Sequence, residues 1–266
     1  MNILESILDN THYETERAKQ EMPEERLRVM PGFNRKCYSL QHSIIASVPA
    51  IIAEVKKASP SKGILREDFD HRLIAKTYTD AGACALSVLT DKKFFQGDIH
   101  FIVDIRENIT IPILRKDFII DSYQLTEAKA FGADAVLLIA AALEKNQLQY
   151  LYDEAVELGL ECLVEVHNEE ELESLDLSVV KIVGINNRNL ADFSVDLTTS
   201  IRLAASIPTG ITIVSESGIS KRRDIELLMK NGINCVLVGE SLMCAANPGD
   251  ALRDLLAPKG KGKLCG

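Results

Sequence analysis

The sequence has no tryptophan, few aromatic residues, and no apolar stretch long enough to cross a membrane. Its longest apolar run covers residues 135–143. Its first 30 residues are rich in Glu, Arg and Lys and lack the apolar centre of a secretory signal. We therefore expect a cytoplasmic protein that does not have a membrane as a partner.

The six cysteines are scattered and form neither a C-x-x-C pair nor a Cys and His set at metal-ligand spacing. Cys84, Cys162 and Cys235 stand at the starts of apolar runs, where a free cysteine typically acts as a small buried hydrophobe. No other set of metal ligands is plausible. The sequence thus predicts a protein without a metal and without a cofactor.

Basic residues are outnumbered, with 30 Lys and Arg against 39 Asp and Glu and a net charge of -9. This balance does not suit binding to a nucleic-acid backbone, so we expect no nucleic-acid partner. The sequence also lacks a G-x-G-x-x-G motif after its first predicted strand, which argues against a dinucleotide site. Nothing in it determines the oligomeric state, and a monomer is plausible.

Short apolar runs with strand character recur about every 20 to 35 residues, which is the length of one βα unit. The eight runs are IIAEV, CALSVL, IPILRK, DAVLLIA, ECLVEV, VKIVGI, ITIVSE and NCVLVG. Segments with helical periodicity separate most of them, and several of these end at a glycine. This alternation predicts an α/β protein, a (β/α)8 TIM barrel over residues 49–257. A doubly wound open sheet is the alternative.

The residues on either side of the predicted barrel differ from it in pattern. Residues 1–48 form a predicted N-terminal helical extension, in which LESILDNTHYETERAKQEM has the pattern of an amphipathic helix. The following PEERLRVMPGF is interpreted as a polar linker. The tail, residues 258–266, is rich in Gly and Lys and is predicted to be disordered.

Polar residues follow nearly every predicted strand. Residues two apart in a strand share a face, so Glu54 and Lys56 point the same way while Val55 points away. The same pattern brings Lys116, Glu165, Asn186, Arg188 and Glu216 to other strand ends. Each could be a solvated strand end, but in a closed barrel they would converge on one mouth, where such barrels carry their active sites.

Two glycine-containing turns follow the last two strands, SESGIS and VGESLM. Loops at this position commonly bind phosphate, because glycine lets backbone N–H groups approach the anion. Ser59 and its neighbours can add to the rim. Lysines and glutamates beside a phosphate site predict acid–base chemistry on a small sugar-phosphate substrate, without a metal.

Beyond these patterns, the chain resembles indole-3-glycerol-phosphate synthase, a tryptophan-pathway (β/α)8 enzyme family. The matching stretches are IIAEVKKASPSKG, LSVLTDKKFFQGD, PILRKDFIIDSYQ, GADAVLLIAA, LVEVHNEEEL, VGINNRNL, SESGIS and VLVGESLM. The resemblance implies a carboxy-lyase that closes the ring of 1-(2-carboxyphenylamino)-1-deoxyribulose 5-phosphate, then releases carbon dioxide and water to give indole-3-glycerol phosphate.

The resemblance also implies roles for individual residues. Lys116 is the expected general acid and Glu165 the partner acid or base, while Lys56 holds the substrate carboxylate and Glu54 and Asn186 orient these groups. The other expected substrate positions are Ser59, Phe95, Phe118, Leu137, Ile139, Arg188, Glu216 and Ser217. Phosphate is expected at Ser217, Gly218, Gly239 and Glu240.

Some alternatives remain beside this resemblance. Glu240 stands where some relatives carry Ser, and because its carboxylate would repel phosphate we expect its backbone N–H to make the contact. The chain length leaves no room for a second barrel, so we expect a monofunctional enzyme. The alternatives are another sugar-phosphate barrel enzyme, such as an isomerase, and a phosphate-ligand binding or scaffold protein.

Overall fold

The computed structural model describes residues 3–189 and 193–257, and at its centre eight parallel strands form a closed barrel. The strands are β1 (Ala50–Val55), β2 (Ala85–Leu89), β3 (Ile113–Lys116), β4 (Ala135–Ile139), β5 (Glu161–Val166), β6 (Ile182–Asn186), β7 (Thr212–Glu216) and β8 (Cys235–Val238). Each pairs with its neighbours in chain order, and β1 pairs with β8 to close the ring. The predicted (β/α)8 barrel is confirmed.

Alternation along the strands sorts their side chains between two cores. Ala50 and Ile52 of β1 belong to a cluster inside the barrel, together with Leu114, Leu137 and Leu163 from other strands. Ile51, Ala53 and Val55 belong to the larger cluster between strands and helices. The parity that buries residues 50 and 52 inside the barrel continues to residues 54 and 56. The inward face of β1 therefore ends on charged residues.

Twelve α-helices occur in the described residues. They are α1 (Ile3–Glu21), α2 (Glu24–Arg28), α3 (Leu40–Ile45), α4 (His71–Asp80), α5 (His100–Arg106), α6 (Ser122–Phe131), α7 (Lys145–Glu157), α8 (Glu169–Ser174), α9 (Thr198–Ala204), α10 (Arg222–Lys230), α11 (Glu240–Met243) and α12 (Pro248–Leu256). The helix-like segments predicted between strands correspond to α4 and α6 to α10. A two-stranded hairpin, Ala58–Ser59 with Gly63–Ile64, follows β1.

Side-chain caps define where several helices begin. Asp121 accepts a hydrogen bond from the backbone N–H of Tyr123 and forms a capping box with Gln124 at the start of α6. Asn168 caps α8 in the same way, through the N–H of Glu171. Asp121 and Asn168 therefore fix the first residues of α6 and α8. None of the helices within the described ranges is both long and apolar enough to cross a bilayer.

The segment interpreted as a polar linker is in fact partly helical. Residues 24–28 form α2, and Leu27 on this helix is fully buried in the outer core. Met30 and Phe33, which follow it, are partly buried against the same core, and α2 packs against α6 of the barrel. The linker prediction was wrong because α2 has only five residues, too few to give a clear periodic signal among so many charged side chains.

The N-terminal extension is attached to the barrel through Asp134, which is fully buried. Its carboxylate forms an ion pair with Arg35 at 2.6 Å and another with Arg106. It also accepts hydrogen bonds from the backbone N–H groups of Tyr38 and Ile113, each at 2.8 Å. One carboxylate thus joins the extension, a helix and a strand. The predicted disordered tail, 258–266, lies outside the described residues.

Candidate active site

A cavity of about 360 Å³ opens at the carboxyl ends of the strands. Every site residue predicted from the sequence lines it, namely Glu54, Lys56, Ser59, Phe95, Lys116, Phe118, Leu137, Ile139, Glu165, Asn186, Arg188, Glu216, Ser217, Gly218, Gly239 and Glu240. These residues come from loops and strands spread over most of the chain, so barrel closure brings them together. Lys57, next to Lys56, is not part of the lining.

Charged groups at the base of the cavity form a connected cluster. Lys116 Nζ lies 3.2 Å from Glu165 Oε2 and 3.6 Å from Glu216 Oε2. Glu165 Oε1 accepts a hydrogen bond from Asn186 Nδ2 at 3.1 Å. Beside them Lys56 Nζ lies 2.5 Å from Glu54 Oε1. Lysine and glutamate side chains in direct contact can exchange protons with one another and with a bound substrate.

Burial and charge act in opposite directions on the ionisation of this cluster. Burial alone would lower the pKa of Lys116, but the carboxylates of Glu165, Glu216 and Glu54 outweigh it and raise that pKa. Burial would raise the pKa of Glu165, but the Lys116 charge and its other partners lower it below the ordinary value. Lys116 is therefore a cation and Glu165 an anion before substrate binds. For Glu216, burial and then the Glu165 charge raise the pKa well above the ordinary value.

Two strand glycines leave room for the acidic side chains. A Cβ at Gly184, in β6, would collide with Oε1 of Glu216 from β7. A Cβ at Gly239, just after β8, would collide with the carboxylate of Glu54 from β1. Both glycines lie at the inward parity of their strands, where any larger residue would push a carboxylate out of the cluster.

One wall of the cavity is apolar. Phe95 and Phe118 have ring centroids 6.4 Å apart, and Leu137 and Ile139 of β4 lie on the inward face beside them. Asp91 shapes the Phe95 loop, because its Oδ1 accepts backbone hydrogen bonds from Phe94 at 2.6 Å and Phe95 at 3.1 Å. This wall is suited to a flat aromatic ring.

Tight turns and hydroxyl groups also line the cavity. Ser217 and Gly218 both have left-handed backbone, with φ of 66° and 81°. A Cβ at Gly218 would meet Val195, so glycine is required there for both conformation and space. Ser59 Oγ is buried and has no hydrogen-bond partner among the described residues. An unpaired buried hydroxyl in the cavity lining is a suitable contact for an anionic oxygen.

The carboxylate of Glu240, which was expected to repel the substrate phosphate, is neutralised by two cations. Its Oε1 accepts a hydrogen bond from Lys62 Nζ at 2.6 Å, and its Oε2 one from Arg188 Nη2 at 3.3 Å. The Lys62 contact joins the hairpin loop after β1 to the start of α11. Burial raises the pKa of Glu240, but these cations outweigh it and lower that pKa. Its charge is compensated next to the expected phosphate position.

Sequence reasoning missed several lining residues. Ile3 and Ile7 of α1 reach the cavity, as do Asp91 and the loop residues Phe193 and Val195. Asp91 lies in LSVLTDKKFFQGD, a stretch that the resemblance already included, so that motif was a signal for it. For α1 no local pattern was a signal, but the resemblance implied its approach to the mouth, because the N-terminal helix of that family helps close the site. Within residues 3–189 and 193–257, no three or more His, Cys, Asp and Glu side chains are grouped as metal ligands.

The fold and cavity define a class of protein, a (β/α)8 barrel with acid–base groups at the carboxyl ends of its strands and an apolar wall beside them. The comparison with family models then identifies the particular family. The model described as indole-3-glycerol phosphate synthase matches residues 4–255. The chain belongs to the indole-3-glycerol phosphate synthase family.

Curated relatives agree with this assignment. An indole-3-glycerol phosphate synthase of Salinibacter ruber is 48% identical over 259 residues, which cover 97% of this chain and 96% of the relative. One from Desulfotalea psychrophila is 45% identical over 264 residues, covering 97% and 99% of the two chains. The family is therefore matched along almost the whole length of both proteins.

Solved structures support the fold alone. A mutant tryptophan synthase alpha-subunit from the hyperthermophile Pyrococcus furiosus aligns with a TM-score of 0.59 at 17% identity, covering 79% of this chain and 98% of that one. A 3-hexulose-6-phosphate synthase from Salmonella typhimurium aligns with a TM-score of 0.59 at 16% identity, covering 78% and 96%. Both alignments cover nearly all of the solved structure but leave about a fifth of this chain unaligned.

Proposed function

We propose that this protein converts 1-(2-carboxyphenylamino)-1-deoxyribulose 5-phosphate into indole-3-glycerol phosphate, carbon dioxide and water, a carboxy-lyase step of tryptophan biosynthesis. Its family supports this function. The single structural observation that carries it is Lys116, a cation 3.2 Å from Glu165 and 3.6 Å from Glu216 at the base of an aromatic-walled cavity. The cluster supplies an acid and a base in contact.

The cavity offers a complementary surface for each part of this substrate. Phe95 and Phe118 would contact its aromatic ring, and Lys56 would pair with the carboxylate on that ring. The turn at Ser217 and Gly218 and the backbone after β8 would hold the phosphate at the far side. In this orientation the ketone of the sugar would lie between them, at Lys116.

Ring closure is the first step. The ring carbon that carries the carboxylate attacks the ketone carbon, and a new carbon–carbon bond forms. The electrons of the carbonyl double bond move to oxygen, which takes a proton from the Lys116 ammonium. Carbon dioxide then leaves, and the electron pair of the broken bond restores the aromatic ring. Lys116 is left neutral.

Dehydration follows from that change of charge. Once Lys116 is neutral, the Glu165 carboxylate loses its main cationic partner, so its pKa rises and it takes up a proton from solvent. Glu165 then protonates the departing hydroxyl, and neutral Lys116 removes a proton from the neighbouring CH2 group. Water and the indole double bond form, and both residues regain their starting charges. Each turnover consumes one proton, because the substrate carboxylate leaves as neutral carbon dioxide.

The test is an assay for product by indole fluorescence with purified protein and no added metal. We expect product from the wild type, and we expect Lys116→Ala to turn over about 10²–10⁴-fold more slowly, as for a lost general acid. Folded wild-type protein without product would overturn the proposal. Near-normal turnover by Lys116→Ala would overturn the role of Lys116. The cytoplasmic location and the oligomeric state stay predictions for separate measurements.

A further inference from the structure

His167 is a buried titratable residue that the mechanism above does not use. It follows β5 directly, two residues after Glu165, and only 10% of its side chain is exposed. Its Nε2 lies 3.3 Å from Glu165 Oε1, and its Nδ1 lies 3.1 Å from Glu171 Oε2 on α8. His167 does not line the cavity, so it contacts Glu165 from the side that faces away from the cavity.

The two contacts define the charge state of the ring. Both ring nitrogens face carboxylate oxygens, which only accept hydrogen bonds when ionised. Nδ1 is within hydrogen-bond distance of Glu171, whereas Nε2 forms no hydrogen bond with the residues that the structure describes and approaches Glu165 Oε1 as an ion-pair contact. An imidazolium is favoured between two carboxylates because its positive charge pairs with both. Burial would lower the pKa of His167, but the Glu171 hydrogen bond and the Glu165 charge outweigh it and raise that pKa.

Glu165 is held on both oxygens by this arrangement. Its Oε2 contacts Lys116, while its Oε1 is shared between Asn186 Nδ2 at 3.1 Å and the His167 ring. When Lys116 is neutral during turnover, His167 is the remaining cation in contact with Glu165. The charge of His167 therefore sets how readily Glu165 takes up and returns its proton.

We propose that His167 is a positioning residue for Glu165: its imidazolium, anchored by Glu171, orients the Glu165 carboxylate and holds it as the anion in the resting enzyme. This inference rests on the proposed function, in which Glu165 cycles between anion and acid. The groups that face this pair are Lys116 from β3, Glu216 from β7, Asn186 from β6 and Glu171 from α8. The chain Glu171, His167, Glu165 and Lys116 alternates in charge.

A purely structural explanation would require only the backbone of His167. Glu171 accepts hydrogen bonds from the backbone N–H of His167 at 2.8 Å and from Asn168 Nδ2 at 2.7 Å at the start of α8. Any residue at position 167 except proline can donate that backbone bond. Replacement of the side chain alone therefore leaves the helix cap intact and tests the ring.

The first experiment measures the ring directly and needs no activity. In protein labelled with ¹⁵N-histidine, the His167 signal is assigned by its loss in His167→Asn, and its pKa is measured by titration. We expect a pKa above the ordinary 6.5 or so, lowered in Glu171→Gln and lowered again in Glu165→Gln. A His167 pKa at or below the ordinary value, unmoved by either substitution, would overturn the proposal.

The second experiment compares pH profiles of kcat. Glu165 must take up a proton before dehydration, and without the imidazolium its pKa rises. In His167→Asn we therefore expect the alkaline limb of the kcat profile to move up by about one pH unit, with KM nearly unchanged. Glu171→Gln keeps one acceptor oxygen, which can take the bond from the backbone N–H of His167 but not also the one from Asn168 Nδ2. This variant should move the limb in the same direction by less.

His71→Asn is the matched control. His71 pairs with Asp104 at 2.7 Å on α4, outside the cavity lining, so its loss should leave the profile unchanged. A wild-type profile in folded His167→Asn, with the wild type active, contradicts the inference. An inactive wild type contradicts the proposed function and leaves the titration as the test of His167.

Discussion

At the scale of single residues, strand alternation decides which of two adjacent lysines meets the substrate. Lys56 continues the inward parity of Ile52 and Glu54, lies in the cavity lining and pairs with Glu54 at 2.5 Å. Lys57 has the opposite parity and lies outside the lining. The same residue type, one position along, therefore has a different surrounding and a different expected role.

Lys56→Ala and Lys57→Ala form a matched pair for this difference. We expect Lys56→Ala to raise KM and lower kcat/KM by about 10–100-fold, since a charge-assisted contact to the substrate carboxylate contributes about 1.5–3 kcal/mol. Lys57→Ala should stay within about twofold of wild type. The measurement is steady-state kinetics, and equal losses in the two variants would show that the alternation argument is wrong.

Asp91 connects ionisation at a single residue to stability. Burial, with a contribution from the Asp117 charge, raises the pKa of Asp91 to about 6, while its bonds to Phe94 and Phe95 oppose the shift. A carboxyl group with a raised folded-state pKa stabilises the fold while it is protonated and loses this contribution as it ionises. The contribution of Asp91 is therefore fully present below about pH 4 and lost as the pH rises through about 6.

Asp91→Asn should remove this pH dependence, because the amide keeps an acceptor oxygen but does not ionise. Between about pH 4 and pH 6, we expect the difference in unfolding free energy between variant and wild type to change by on the order of 2–3 kcal/mol in favour of the variant. Denaturant unfolding at several pH values measures it. A pH-independent difference would contradict the shifted pKa.

At the scale of elements, α1 contributes to the cavity although it precedes the barrel in the chain. Ile7 is buried against the mouth, and Ile3 beside it also lines the cavity. The far end of α1 is held by an ion pair between Lys19 and Asp121 at 2.8 Å and by the Tyr123 hydroxyl, which donates to the carbonyl oxygens of Ala18 and Met22. The helix is thus anchored at α6 and covers the site with its first turns.

Ile7→Ala tests this cover. Removing most of an apolar side chain from the wall costs about 1–2 kcal/mol of binding, so KM should rise about 5–30-fold with a smaller change in kcat. Tyr13→Ala on the same helix is the control, since that side chain is 66% exposed. KM is measured by steady-state kinetics. Equal KM values for the two variants would show that α1 does not contribute to substrate binding.

At the scale of the whole molecule, Asp134 holds the N-terminal extension and the barrel together. Arg35 belongs to the extension and Arg106 to the barrel, and both pair with this one buried carboxylate. Tyr38 and Ile113 add backbone N–H donors from the same two parts. Because the carboxylate is fully buried, its loss would leave two cations without their anion.

Asp134→Asn should therefore destabilise the protein by about 3–5 kcal/mol, the usual cost of breaking a buried ion pair. Asp80→Asn is the control, because Asp80 pairs with Lys76 at 2.7 Å with both side chains more than half exposed, and exposed pairs contribute about 0–1 kcal/mol. Urea unfolding of both variants gives the comparison. A similar small change in both would contradict a stabilising role for the buried ion pairs of Asp134.

Local patterns in the sequence determined the strands, most of the helices and the inward-facing residues at the strand ends. They did so because strand parity and helix caps depend on residues two to four apart. Glu54, Lys116 and Glu165 follow from these patterns alone. The resemblance to a family added the apolar wall of Phe95 and Phe118, for which spacing alone carries no signal.

Only the tertiary structure decided which of these groups touch. Lys62 reaches Glu240 across 178 positions of the chain, and α1 returns over a mouth built from much later strands. The buried anchor Leu27, the raised pKa of Asp91 and the contact of His167 with Glu165 depend on neighbours far along the chain or on burial. No local pattern contains such information, because desolvation and long-range charge pairing exist only once the barrel has closed.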